Sequence, residues 1–183
     1  VSFNNNTSES GLSFKDYVEF LETKKNDSPL GDLITDQFEL SKIFMMKLGF
    51  DFSRGRIDKS LHPFCGGSTD DIRITTMFSE DDSFSCFDAL MHETGHGLYE
   101  QGLPKKWLHQ PLGSAGGMSL HESQSLFIEM QVIKSLPVSK YIAKVLKSKF
   151  RINSQKINYM NIFESRNLVE KNFIRVDSDE VHY

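Results

Sequence analysis

The sequence predicts a mainly α-helical chain with one small β element, on three observations. Apolar residues recur at helical spacing in several separate stretches, helix-ending signals close those stretches, and a single short segment alternates with period two. Residues 1–12 are polar and predicted to be unstructured. Ser13 and Asp16 then read as a capping-box variant, with Phe14, Tyr17, Val18 and Leu21 behind them, which predicts a short helix over 13–24. After the turn-like Asn26 to Pro29, the set Leu33, Ile34, Phe38, Ile43, Phe44 and Leu48 runs to Gly49, a residue suited to a left-handed C-terminal cap. This predicts a second, longer helix. Ile72, Ile74, Thr76 and Phe78 alternate with Arg73, Thr75 and Met77, predicting a strand with one buried face. The acidic Glu80, Asp81 and Asp82 suit a helix N-terminus, and the following helix is predicted over 83–101, ending near Gly102 and Pro104. Ser119 with Glu122 three residues on reads as a capping box opening another helix that stops before Pro137. Lys140, Lys144 and Lys147 mark a solvated helix face, a further helix is expected around 158–170, and an extended tail from 173.

Composition excludes several classes. With 183 residues the chain matches the length of about one domain. Hydrophobic residues make up 38% of it, and no apolar run approaches the roughly 20 residues of a membrane helix. Lys and Arg number 21 against 25 Asp and Glu, a net charge of -4 that argues against wholesale nucleic-acid binding. Two cysteines, Cys65 and Cys86, are too few for a disulfide framework, and the opening residues lack the basic-then-apolar layout of a secretory signal. A reducing, cytoplasmic setting is the expectation.

The chemistry concentrates at His92-Glu93-Thr94-Gly95-His96, an H-E-x-x-H motif inside the helix predicted over 83–101. Spacing four brings both imidazoles to one helical face, where two nitrogens can bind one metal ion. The plainer alternative is two histidines on the surface of an amphipathic helix. A catalytic zinc site takes three protein ligands and leaves a fourth position for water, so a third ligand comes from elsewhere. Glu100, His109, His121, Glu122 and Glu129 are the downstream candidates. Glu100 sits one turn past His96, where it would struggle to close a tetrahedron with both histidines. Glu122 opens a helix that could cross the first, although its carboxylate could equally belong to the capping box with Ser119. Glu93 is too close in sequence to be a ligand itself and is positioned as general base on water, making hydrolysis of a peptide bond the natural reaction.

Five segments then occur in one order: His62-Pro63-Phe64, Asp71 to Thr75, His92 to His96, His121-Glu122-Ser123-Gln124, and Ile174 to Asp179. In this order they resemble the signature motifs of the carboxypeptidase Taq family, the thermostable metallocarboxypeptidases. The likeness runs from about Gly49 to Tyr183. It implies a predominantly helical, zincin-like metallopeptidase fold with the small β-sheet beside the H-E-x-x-H helix, and one divalent metal, zinc or cobalt. It also implies homodimers and removal of single residues from peptides with a free C-terminus. Carried over motif by motif, the resemblance makes His92, His96 and Glu122 the metal ligands and Glu93 the base. The 25 residues between His96 and Glu122 match the family spacing. It further places Arg175 on the substrate's terminal carboxylate, with Arg73, Thr75 and His62 as further substrate contacts. A guanidinium fork suits that task because it matches a carboxylate in bidentate geometry. Arg175 paired with Asp177 or Asp179, Arg73 merely exposed on its strand, and His62 held in a turn by Pro63 are the structural alternatives.

Ser178 stands where the family pattern has alanine, a change between small residues. Family members run to several hundred residues, so the chain reads as a single partial catalytic domain, 1–183, lacking regions on both sides, including a downstream tyrosine that assists the reaction. Two other readings follow from the same residues: a zinc endopeptidase or oligopeptidase without carboxylate recognition, and an inactive remnant that binds metal or a partner without turnover.

Overall fold

The computed structural model describes residues 31–79, 83–149 and 158–168. The predicted helix over 13–24, the unstructured start, the acidic cluster at 80–82, the tail from 173 and Arg175 lie outside the described residues. The described residues up to Ile133 form one compact unit and those from Lys134 form another. The chain is mainly helical with one three-stranded sheet, as expected, and no described helix is long and apolar enough to cross a membrane.

In the first unit, α1 spans Gly31–Leu48. Leu40, Phe44 and Met45 fall on one face and are buried, and the Phe44 ring meets Phe87 edge-on at 5.2 Å. Gly49 ends the helix at φ +100°, a backbone region open to glycine at little cost. The chain then turns back, with the Phe50 N–H donating to the Met45 carbonyl at 2.9 Å.

Three strands follow: β1 (Gly55–Lys59), β2 (Phe64–Ser68) and β3 (Asp71–Thr76). Their order is β1-β3-β2, with β1 parallel and β2 antiparallel to the central β3. Ile74 stands across from Ile57 on one side and Cys65 on the other. Ile72, Ile74 and Thr76 are buried, while Arg73 and Thr75 lie on the opposite face, the alternation the sequence predicts. The strand stops at Thr76 rather than Phe78 because its partners stop: β1 ends at Lys59 and β2 begins at Phe64, opposite Thr75. Phe78 packs edge-on against Phe38 instead, at 5.8 Å.

Helix α2 spans Ser83–Gly102, one residue longer than expected. Cys86, Phe87, Leu90, Met91 and Thr94 are buried at helical intervals. Fully burying each of Met45, Ile72, Ile74, Leu90 and Met91 is worth about 1.5–3 kcal/mol. The C-terminal turn is tied down by Gln101, which exchanges two 2.9 Å hydrogen bonds with the backbone of Asp51. Arg54 also donates to the Gln101 carbonyl at 3.2 Å, a cation on a helix C-terminus.

Two single 3-10 turns, Lys105–Trp107 and Pro111–Gly113, lead to α3, Met118–Leu126. The capping box expected from Ser119 and Glu122 does not form. The helix is entered two residues earlier, with Gly117 rather than Ser119 as N-cap, so Ser119 is already inside the first turn and the Glu122 carboxylate is engaged elsewhere. From Phe127 to Ile133 the helix widens into a π-helical segment, a feature frequent at functional sites.

In the second unit, α4 spans Leu136–Ser148 and α5 spans Tyr159–Arg166. Ile142, Ala143, Val145, Leu146 and Ile162 are buried, and Lys140, Lys144 and Lys147 are exposed. Asn158 caps α5 by accepting from the N–H groups of Met160 and Asn161 at 2.9 and 3.0 Å.

Candidate metal centre

The site assembles where α3 crosses α2. Gly95 makes the crossing possible: a Cβ there would stand 2.6 Å from the Ser125 Cα and 2.9 Å from the Gln124 carbonyl oxygen. Any side chain would push α3 outward. Two residues on, a Cβ on Gly97 would meet Phe50, Ile74 and Ile72 at 2.9 to 3.3 Å. The helix carrying His92 and His96 is therefore held closely by α3 on one side and by the buried face of β3 on another.

Within this arrangement His92, His96 and Glu122 each bring one ligand atom into a cluster whose members lie within 4.8 Å of one another. His92 Nε2 is 3.5 Å from Glu122 Oε1, and His96 Nε2 is 3.2 Å from Glu122 Oε2. Ligand atoms about 2.0–2.1 Å from a tetrahedral zinc ion stand about 3.3 Å apart. Two imidazole nitrogens and a carboxylate at these separations fit such an ion, and the donor set suits zinc or cobalt.

Both imidazoles turn Nε2 inward and Nδ1 outward. His92 Nδ1 lies 2.7 Å from Glu129 Oε2, a carboxylate supplied by the π-helical segment. His96 Nδ1 lies 2.6 Å from His121 Nδ1, and His121 Nε2 lies 3.0 Å from Glu100 Oε1. The Tyr99 ring stands edge-on to His121 at 5.1 Å. Of the five candidate third ligands, Glu129 is thus engaged by His92, both nitrogens of His121 are engaged, and Glu100 is on His121. His109 is exposed in the connecting loop. Glu122 is the carboxylate facing both Nε2 atoms.

The electrostatics follow from burial and from this concentration of acids. Burial alone would lower the pKa of His92, but the hydrogen bond to Glu129 and the charges of Glu129, Glu122 and Glu93 outweigh it and hold the imidazole above its usual value. His96 is held below its usual value by burial and by His92 and His121. Glu93 is pushed up, first by burial and then by Glu122 and Glu129, against the pull of His92. Cys65 on β2 is half-buried, and its thiol is pushed up to about 12 by burial and by the charges of Glu93 and Glu100. It stands beside the carboxylates as a neutral thiol.

The other residues singled out in the sequence stand apart from this cluster. Ile72 and Ile74 face α2, so Arg73 and Thr75 occupy the sheet face turned away from it. Arg73 donates to Asp71 at 2.8 and 3.1 Å, and Thr75 Oγ1 donates to the His62 carbonyl at 3.0 Å. His62 is exposed in the turn between β1 and β2, where Ser60 Oγ also donates to its carbonyl. Sequence reasoning missed the outer partners of the histidines. A signal existed: Glu100 is one turn beyond His96, and Glu129 is two turns beyond Glu122, each on the face of the ligand before it.

Residues 22–183 match the family described as carboxypeptidase Taq (M32) metallopeptidase. Carboxypeptidase 1 of Bacillus subtilis is 31% identical over 168 residues, covering 88% of this chain and 34% of that protein. Thermostable carboxypeptidase 1 of Thermus thermophilus is 37% identical over 136 residues, 74% of this chain and 26% of that one. Among solved structures, Trypanosoma cruzi metallocarboxypeptidase 1 superposes with a TM-score of 0.76 at 34% identity, over 92% of this chain and 36% of its own. The M32 carboxypeptidase of Deinococcus radiodurans gives 0.71 at 27% identity, over 97% and 40%. The chain spans 26 to 34% of the length of the curated relatives it matches. It belongs to the carboxypeptidase Taq (M32) metallopeptidase family.

Proposed function

We propose that this chain carries the metal centre of a carboxypeptidase that releases single residues from peptide C-termini with broad specificity. The observation that supports this most is the approach of Nε2 of His92 and of His96 to the two oxygens of Glu122, with Glu93 half-buried beside them. These three residues are assigned as ligands of a divalent ion, zinc by donor set with cobalt as the alternative. Such an ion supplies Lewis acidity when bound, polarising a peptide carbonyl and acidifying water. Glu93 takes the proton from that water and returns it to the leaving amine. Its raised pKa suits both transfers, since a carboxylate nearer neutrality holds a proton longer than an ordinary one.

Choice of chain ends requires a fixed cation, and Arg175 is assigned that part, a guanidinium for the terminal carboxylate. Thr75 is bonded to the His62 backbone and Arg73 to Asp71. The first bond ties the turn holding His62 to β3 and the second lies within β3, and Arg73, Thr75 and His62 are assigned as further contacts to the peptide. The same ligands and base, without recognition of a terminal carboxylate by Arg175, would instead make an endopeptidase.

Peptides with free and with amidated C-termini, incubated with the chain and zinc or cobalt, separate the two. Cleavage confined to free termini supports the exopeptidase. Comparable cleavage of both removes it in favour of the endopeptidase, and Arg175→Ala then leaves internal cleavage untouched.

A further inference from the structure

The two histidines differ in what stands behind them. His92 leans directly on a carboxylate, Glu129, at 2.7 Å. His96 leans on a second imidazole, and only through it on a carboxylate, by way of the 2.6 Å contact to His121 Nδ1 and the 3.0 Å contact from His121 Nε2 to Glu100. Hydrogen counting gives this chain a direction. If His96 offers the lone pair of Nε2 to a cation, its proton must sit on Nδ1, and the nearest atom must accept it. Glu100 presents only acceptor oxygens, so His121 must carry its own proton on Nε2 and leaves Nδ1 bare. Both requirements are met by one arrangement: His96 Nδ1–H donates to His121 Nδ1, and His121 Nε2–H donates to Glu100 Oε1.

The surroundings hold that arrangement in place. The Tyr99 ring packs edge-on to His121 at 5.1 Å, and its hydroxyl accepts from the Gly116 N–H at 2.9 Å. His121 is adjacent in sequence to Glu122, so the residue that orients one ligand and the residue that is another ligand move together on α3. Glu100 is one turn past His96 on α2. The relay therefore ties the two helices together across the crossing at Gly95.

We propose that His121 is a positioning residue for the metal centre, fixing the tautomer and ring plane of His96 through a His96–His121–Glu100 relay, while Glu129 alone does the same for His92. This rests on the assignment of His92, His96 and Glu122 as ligands. Residues behind a metal-bound histidine typically contribute about 10–100-fold in metal affinity.

Substitutions that keep one end of the relay at a time give the test. The Asn Oδ1 stands where His Nδ1 was and can accept from His96, whereas a Gln side chain reaches to the position of Nε2 and serves Glu100 only. Zinc affinity is measured on the whole chain by competition with a chromophoric chelator. Expected is a loss of about 10–100-fold for His121→Gln and His121→Ala, with His121→Asn close to the unsubstituted chain. Equal losses in all three variants overturn the proposal, because the residue would then matter only as packing. Unchanged affinity in His121→Gln and His121→Ala overturns it as well. His92→Ala is the reference: zinc binding lost there but intact in His121→Gln defeats the relay alone, whereas zinc binding intact in His92→Ala defeats the ligand assignment and the relay with it.

Discussion

Ser125 Cα stands 2.6 Å from the place where a Cβ on Gly95 would be, closer than two carbons pack. That contact sets how near α3 comes to the histidines, and hence whether Glu122 reaches them. Gly95→Ala is expected to displace α3, lower stability by about 1–3 kcal/mol through overpacking, and weaken zinc binding. Gly102→Ala serves as the comparison. A Cβ there meets nothing within 4 Å, and at a helix end the change is expected to be neutral or slightly stabilising. Urea unfolding of both variants with a zinc titration checks the pair, and equal behaviour would remove the close approach as the cause.

Glu93 is assigned to proton transfer and not to binding. Glu93→Gln keeps the shape and removes the base, so zinc stoichiometry should stay at that of the unsubstituted chain. Turnover of a peptide with a free C-terminus should fall by about 10²–10⁴-fold. Metal analysis beside a hydrolysis assay reads both quantities. Zinc loss in parallel with activity would make Glu93 a ligand instead.

Asp51 offers a prediction in pH. The hydrogen bonds from Ser53 and Arg54 hold its carboxylate down to about 2, against an ordinary 3.8. A depressed folded-state value means that the unfolded chain takes up the proton first. The stabilisation is therefore complete above pH 3.8 and is lost as pH falls toward about 2. Melting temperatures of the unsubstituted chain and Asp51→Asn, followed from pH 7 downward, should differ at neutrality and converge in acid. A gap that widens on acidification has the wrong sign for this pairing.

Leu90 is fully buried, two residues before His92. Leu90→Ala should cost about 2–5 kcal/mol in chemical denaturation, the sum of lost burial and the cavity left behind. A cost below 1 kcal/mol would place the residue outside the core.

The sequence carried different amounts of information for different parts of the molecule. α1, β3 and α2 were legible because each buries one face, and burial writes its period into the apolar residues, as at Phe44 or Ile72 and Ile74, although Leu40 and Met45, buried on α1 as well, were not among the residues read. β1 and β2 were not. β1 buries a single apolar side chain, Ile57, and β2 is interrupted by Gly66 and Gly67, so neither shows alternation long enough to register. The start of α3 was misplaced because Ser119 and Glu122 satisfy a local capping pattern that a tertiary interaction overrides: the histidines of another helix engage the carboxylate. The placing of His92 and His96 on one face could be read from spacing alone, with Glu93 next to them in sequence. For the hydrogen bonds to Glu129 and His121, spacing gives only the helix face, since the bonds themselves depend on the angle and distance at which two helices cross.

The central claim is that two imidazoles of α2 and one carboxylate of α3 share one ion. Zinc bound per chain, measured after dialysis for the unsubstituted protein, His92→Ala and Glu122→Ala, tests it most directly. One equivalent in the unsubstituted chain and its loss in both variants is the predicted result. A full equivalent retained by Glu122→Ala contradicts it.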